Sequence, residues 1–296
     1  MNFKKFMGLG TALISPFKNG REIDYDSLSK IIEFQISSGV DYLVIAGTTG
    51  EGVTLDDEEL KELLKFTVKK VNKSIPVVAG CGGNDTKSLI KKIEMLNNLE
   101  LDAYLVVSPY YNKPSQLGLV KHYIEVAKAA SNIPIILYNV PGRTGGWIMP
   151  DTVSELASKC SNIIAIKEAS GNINFSMEMY KTVSSVRSDF IFMSGDDALT
   201  IPLIAIGYKG VISVVSNEVP KQMKEMLDLA MKGDFSSAIK IHYKLLDLMN
   251  INFIETSPAP VKYAMKKLGY GDGTVRLPLS ELKNTDKMDE ILKEYV

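Results

Sequence analysis

Short apolar, β-branched runs recur along this chain and limit what it can fold into: Gly10–Ile14, Tyr42–Ala46, Pro76–Ala79, Ala103–Val107, Ile135–Tyr138, Ile163–Ile166, Phe190–Met193 and Val211–Val214. Continuous apolar runs of this length read as strands buried on both faces, the condition of parallel strands covered by helices. Amphipathic segments lie between them, such as Asp57–Val71, where Leu60, Leu63, Leu64, Val68 and Val71 mark one face at helical spacing and Thr54 with Asp57 reads as the capping box. Eight strand–helix units predict an α/β chain closed into a (β/α)8 TIM barrel. An open doubly wound sheet is the structural rival, but Ser15-Pro16-Phe17 stands where its Gly-x-Gly-x-x-Gly turn belongs.

After the eighth run the strand signal stops, and Gln222–Met231, Phe235–Met249, Pro260–Lys267 and Asp286–Tyr295 read as helices. The expected organisation is a catalytic barrel over residues 1–225 and a C-terminal helical extension over 226–296 packed on it. With 34 basic and 35 acidic residues the net charge is -1, which provides no general field for nucleic acid or an anionic membrane. Cys81 and Cys160 fit no metal or redox spacing, and His122 and His242 are too few for a histidine-rich metal site, so neither metal nor cofactor is expected. Lys4 and Lys5 before Phe6–Ile14 superficially resemble a signal peptide. Gly8, Gly10 and Thr11 interrupt that stretch, no cleavage motif follows, and the segment reads as the first strand of a cytoplasmic protein. No apolar run approaches the ~20 residues of a membrane helix.

Active sites of such barrels lie at the C-terminal ends of the strands. There, Ile163-Ile164-Ala165-Ile166 runs into Lys167 and Glu168, and period-two alternation places Lys167 on the side of Ile163 and Ala165, toward the barrel mouth. A lysine there loses hydration, and the neutral amine is the form that attacks a carbonyl to make a Schiff base. Its structural alternative is a lysine snorkelling to solvent, equally compatible with this motif by itself. The preceding strand ends in Tyr138, suited to moving protons, followed by a loop with Arg143, whose fork of donors suits a carboxylate. In isolation a core tyrosine and a solvated arginine are the commoner readings. Gly47-Thr48-Thr49-Gly50-Glu51 offers paired hydroxyls on a tight loop that lacks the P-loop lysine, and Ser108–Pro114 carries Tyr110 and Tyr111. Phosphate-binding barrels hold their ligand near the seventh and eighth loops; here Ser194-Gly195-Asp196-Asp197 places two carboxylates, which favours a non-phosphorylated keto acid.

Taken in order and spacing, Gly47–Glu51, Pro109–Pro114, Tyr138–Thr144, Ile166–Ala169, Ser194–Asp197, Gly210–Val214 and Ser257–Lys262 closely resemble the dihydrodipicolinate synthases, over nearly the whole chain. The lysine and Tyr138 are shared with the wider superfamily of Schiff-base lyases, including N-acetylneuraminate lyase and keto-deoxy-sugar-acid aldolases; the Arg143 segment and the Tyr110-Tyr111 pair favour the synthase. The resemblance implies a lyase of the diaminopimelate route to lysine, in which Lys167 condenses with pyruvate and the enamine attacks L-aspartate 4-semialdehyde. It implies Tyr138, Thr48 and Tyr111 as the proton relay, with Tyr111 reaching a neighbouring subunit's site. Thr49, Gly195 and Ile212 then correspond to pyruvate contacts and Arg143 to the acceptor's carboxylate clamp. A homotetramer, at least a dimer, is implied as well.

Lysine-inhibited enzymes of the family carry a serine and an alanine after Gly-Thr-Thr-Gly-Glu, histidines in the next helix and a glutamate after an asparagine. Asn84 and Tyr110 persist here, but Gly52, Val53, Asp57, Leu60 and Ser88 occupy the other positions, so weak or absent lysine inhibition is expected. Two rivals remain: a pyruvate-dependent aldolase of another acceptor, and a catalytically silent barrel, against which the complete set of Lys167, Tyr138, Thr48 and Tyr111 argues.

Overall fold

The apolar runs become eight parallel strands that close on themselves: β1 (Gly8–Ala12), β2 (Tyr42–Ile45), β3 (Val77–Gly82), β4 (Ala103–Val107), β5 (Ile135–Asn139), β6 (Ile163–Glu168), β7 (Ile191–Ser194) and β8 (Gly210–Ser213). The ring is closed by β1 pairing in parallel with both β8 and β2. The structure is a computed structural model that describes residues 3–18 and 21–295. Helices α1 (Tyr25–Ser37), α2 (Asp57–Val71), α3 (Thr86–Leu96), α4 (Gln116–Ala129), α5 (Pro150–Lys159), α6 (Ile173–Ser184), α7 (Thr200–Ala205) and α8 (Pro220–Met231) follow the strands in turn. Among the described residues no helix is long and apolar enough to cross a membrane.

Strand residues are buried on both faces because the barrel has two apolar layers. Tyr42, Val44, Val78, Leu105, Ile136, Ala165, Met193 and Ile212 fill the interior with Phe6 from the turn before β1. Leu43, Ile45, Val106, Leu137, Ile166 and Phe192 face the helices. Tyr42 is wholly buried, and a Cβ at Gly10 would stand 2.2 Å from its ring, so the glycine in β1 makes room for an aromatic in β2.

The helix start expected at Thr54 lies two residues further on. Asp56 caps α2 by accepting from the Glu59 amide at 2.8 Å, and Glu59 reaches back to the Asp56 amide at 3.2 Å. Leu55 is extended between this cap and the 3-10 turn Gly52–Thr54, where the Thr54 hydroxyl donates to the Glu51 carbonyl at 2.9 Å instead.

Beyond the barrel come α9 (Phe235–Ile251), α10 (Ala259–Lys267) and α11 (Thr285–Leu292). α9 packs on α8 and α11, and α8 itself packs on β1. Residue 225, the expected boundary, lies within α8.

Candidate active site

The side chains at the mouth are set by a register shift in β6. Ile135 pairs with Ile163 but Ile136 with Ala165, so Ile164 is an extra residue and the alternation slips by one. Ile163 consequently joins the outer layer and Ile164 the inner one, correcting the expectation that Ile163 shares a face with Lys167. Beyond the bulge Ala165 faces inward, and Lys167 follows two residues later, directly paired with Tyr138 of β5. Lys167 is only 5 % exposed, and its Nζ lies 4.5 Å from the centre of the Tyr138 ring. Gly195, just after β7, leaves space for the lysine stem: a Cβ there would stand 2.9 Å from Lys167 Cε and 2.6 Å from Ala169 Cβ.

Tyr138 also borders a cavity of about 380 Å³ at the barrel mouth, shared with Gly47, Thr48, Glu51, Tyr110 and Arg143. Arg143 stands in a helical turn, Pro141–Thr144, rather than an open loop. Buried Asn139 braces the flanks of this turn: its side-chain oxygen accepts from the Ile148 amide at 3.0 Å, and its side-chain nitrogen donates to Glu168 at 2.7 Å. Burial pushes the Glu168 carboxyl upward, against the pull of Asn139 and Ser170. Cys81 lines the same cavity as a free thiol, but burial pushes it up to about 12 and leaves it protonated and unreactive.

The Gly47–Glu51 loop is tightly wound. Gly52 donates to the Gly47 carbonyl at 3.2 Å and Glu51 to that of Thr48 at 3.1 Å, while the Ser15 hydroxyl donates to the Gly50 carbonyl at 2.7 Å. A Cβ at Gly52 would stand 2.0 Å from the Ala46 carbonyl oxygen. Thr48 borders the cavity, whereas Thr49 is buried and does not line it.

The two carboxylates after β7 are not a repulsive pair at the mouth. Asp196 turns back on the segment before α7, accepting from the amides of Ala198 at 3.0 Å and Leu199 at 3.3 Å. Asp197 is buried and accepts from the amides of Val214 at 2.9 Å and Val215 at 3.0 Å. Burial raises its carboxyl, opposed by the Ser213 side chain and these two amides. These two backbone donors after β8 are thereby occupied and are not free to hold a phosphate.

The Dihydrodipicolinate synthetase family profile matches residues 5–294. The chain is 45% identical over 292 residues to the 4-hydroxy-tetrahydrodipicolinate synthase of Aquifex aeolicus, covering 98% of each protein. Its fold superimposes with a TM-score of 0.96 on the dihydrodipicolinate synthase of Thermotoga maritima, at 38% identity over 98% of this chain and 99% of that one. It does so equally, at 39% identity over 99% and 98%, on a structure described as the first monomeric dihydrodipicolinate synthase variant.

The chain belongs to the dihydrodipicolinate synthetase family.

Within this family member the fold brings Thr48, Tyr138 and Arg143 to one cavity, with Lys167 against Tyr138 and Gly195 against Lys167. Ile212 points into the barrel interior and is fully buried. Tyr111 stands apart, 89 % exposed, with a φ of 73° that places it in the left-handed region. Ser257, Pro258, Pro278 and Leu279 also line the cavity. Ser257 and Pro258 fall in the Ser257–Lys262 segment of the resemblance, but no local signal places them, or Pro278 and Leu279, at the mouth, because the extension meets it only through the fold. Asp197→Ala leaves the Val214 and Val215 amides buried without their acceptor and is expected to cost about 2–4 kcal/mol, read as a lower urea midpoint. An unchanged midpoint would contradict the assignment of Asp197 as the clasp of β8.

Proposed function

We propose that this chain is a 4-hydroxy-tetrahydrodipicolinate synthase, a lyase that condenses pyruvate with L-aspartate 4-semialdehyde through a Schiff base on Lys167. The observation that carries this reading is the Lys167 amine, buried on an inward-facing strand position 4.5 Å from the ring of Tyr138, which borders the mouth cavity.

In this reading the neutral Lys167 amine adds to the keto carbon of pyruvate, and the carbinolamine loses water to give the imine. Loss of a methyl proton yields the enamine, whose terminal carbon bonds to the aldehyde carbon of the semialdehyde. The acceptor's amine then adds to the imine carbon, closing the ring, and Lys167 leaves as free amine. Tyr138, Thr48 and Tyr111 carry the protons; a phenol acting by itself is poorly matched to neutral pH, and neighbouring hydroxyls remedy that by sharing the proton. Thr49, Gly195 and Ile212 shape the pyruvate end, and Arg143 clamps the acceptor carboxylate. The cavity suits a small substrate pair, and the occupied amides after β8 support non-phosphorylated ones.

The exposure and left-handed backbone of Tyr111 support a role completed across an interface, in a homotetramer or at least a dimer. We place the enzyme in the cytoplasm, in the diaminopimelate route to lysine, and divide barrel from extension after α8. Weak or absent lysine inhibition is supported by apolar Leu60 and cationic Lys92, which line the cavity beside Gly52 and Val53. A steady-state titration is expected to show weak or no inhibition at sub-millimolar lysine, and strong inhibition there would overturn this.

Acceptor choice tests the activity. We expect kcat/KM for aspartate semialdehyde to exceed that for keto-deoxy sugar acids or N-acetylneuraminate. Arg143→Ala should lower the semialdehyde value by roughly 10- to 100-fold, the worth of a charge-assisted hydrogen-bond pair. Faster turnover of a sugar acid, or an unchanged Arg143→Ala enzyme, would favour the aldolase.

A further inference from the structure

Glu51 closes the loop that carries Thr48 and Thr49, yet its carboxylate points away from solvent and is only 2 % exposed. One oxygen is held by the Lys262 ammonium and the other accepts the Arg276 backbone amide at 2.8 Å. Both donors come from beyond the barrel, Lys262 from α10 and Arg276 from the segment that follows it. Lys262 is equally buried; it also donates to the Thr274 carbonyl at 2.8 Å, and its Nζ sits 3.9 Å from the centre of the Phe17 ring. Arg276 lies over the same ring at 4.5 Å, grips Glu59 through both terminal nitrogens at 2.7 and 2.5 Å, and donates to the Thr54 carbonyl at 2.9 Å. The extension thus grips the two sides of the loop end, at Glu51 and at Thr54.

Burying such a pair is expensive. Replacing a buried ion pair by apolar groups of similar volume is often neutral or stabilising, so stability alone does not account for its presence. Burial pushes the Lys262 ammonium down to about 8 even against the attraction of Glu51. What the pair does supply is direction. Glu51 has a left-handed φ of 52°, and anchoring its side chain fixes the backbone that presents Thr48 to the cavity. Ser257, Pro258, Pro278 and Leu279 of the extension line that same cavity.

We propose that Glu51 and Lys262 are a positioning pair, through which the C-terminal extension holds the Thr48-Thr49 loop in the shape that binds pyruvate. This rests on the reading that Lys167 and the two threonines act on pyruvate. The test compares the whole enzyme with Lys262→Met and with the double variant Glu51→Gln/Lys262→Met, measuring pyruvate KM, kcat and thermal midpoint. The double variant removes both charges at nearly constant volume, and the carboxamide that replaces the Glu51 carboxylate keeps an oxygen for the Arg276 amide. It is expected to fold with a midpoint close to that of the parent, while pyruvate KM rises at least about tenfold in both variants, as for a loop displaced by a fraction of an ångström. A pair that only stabilises the fold would lower the midpoint and the amount of active enzyme while leaving KM unmoved. That outcome, or a double variant that does not fold, overturns the proposal. Failure of the underlying reading is separately visible, since the parent enzyme would then form no borohydride-trapped adduct with pyruvate.

Discussion

Eight parallel strands that close on themselves have an inside, and whatever points inward at their C-terminal ends converges on one mouth. For most of the barrel the inside is filled with aliphatic side chains, Met193 and the rings of Phe6 and Tyr42. At β6 the bulge at Ile164 resets the alternation, and the inward position two residues after Ala165 is a lysine rather than another aliphatic. Its amine loses water on entry and finds the face of Tyr138 beside it. Lysine and phenol are therefore neighbours by strand register, the most rigid relation that a sheet provides.

Around that fixed pair stand the loops of the mouth, each tied down by a different device. Asn139 braces the turn bearing Arg143. Asp197 fastens the end of β8 by two backbone amides. Backbone hydrogen bonds wind the threonine loop, and residues of the extension seize its last carboxylate. In the reading proposed here, the extension belongs to the catalytic apparatus as much as the barrel does.

The strands are legible in the sequence because parallel barrel strands are buried on both faces and so appear as unbroken apolar runs. Lys167 and Tyr138 are legible because they end such runs. The bulge is not, since Ile163, Ile164 and Ala165 are all apolar and nothing in their identity marks the extra residue. From sequence the carboxylates of Asp196 and Asp197 read as facing a ligand because residue type carries charge but not direction; only the fold shows them turned to backbone amides. Thr54 imitates a helix cap because Asp56, two residues later, supplies the same chemistry. Glu51 lies in a motif that is easy to notice, but its partners Lys262 and Arg276 are 211 and 225 residues away and no periodicity connects them. The family resemblance includes Glu51 and Lys262 in separate motifs, but it does not show that they meet.

All of the proposed chemistry starts from Lys167 as the amine that captures the keto acid. Reduction with borohydride in the presence of pyruvate, followed by peptide mass spectrometry, examines that step without intermediaries. A single stable adduct is expected on the peptide carrying Lys167, absent without pyruvate and absent in Lys167→Ala. An adduct on another lysine, or none with folded enzyme, is incompatible with Lys167 as the nucleophile.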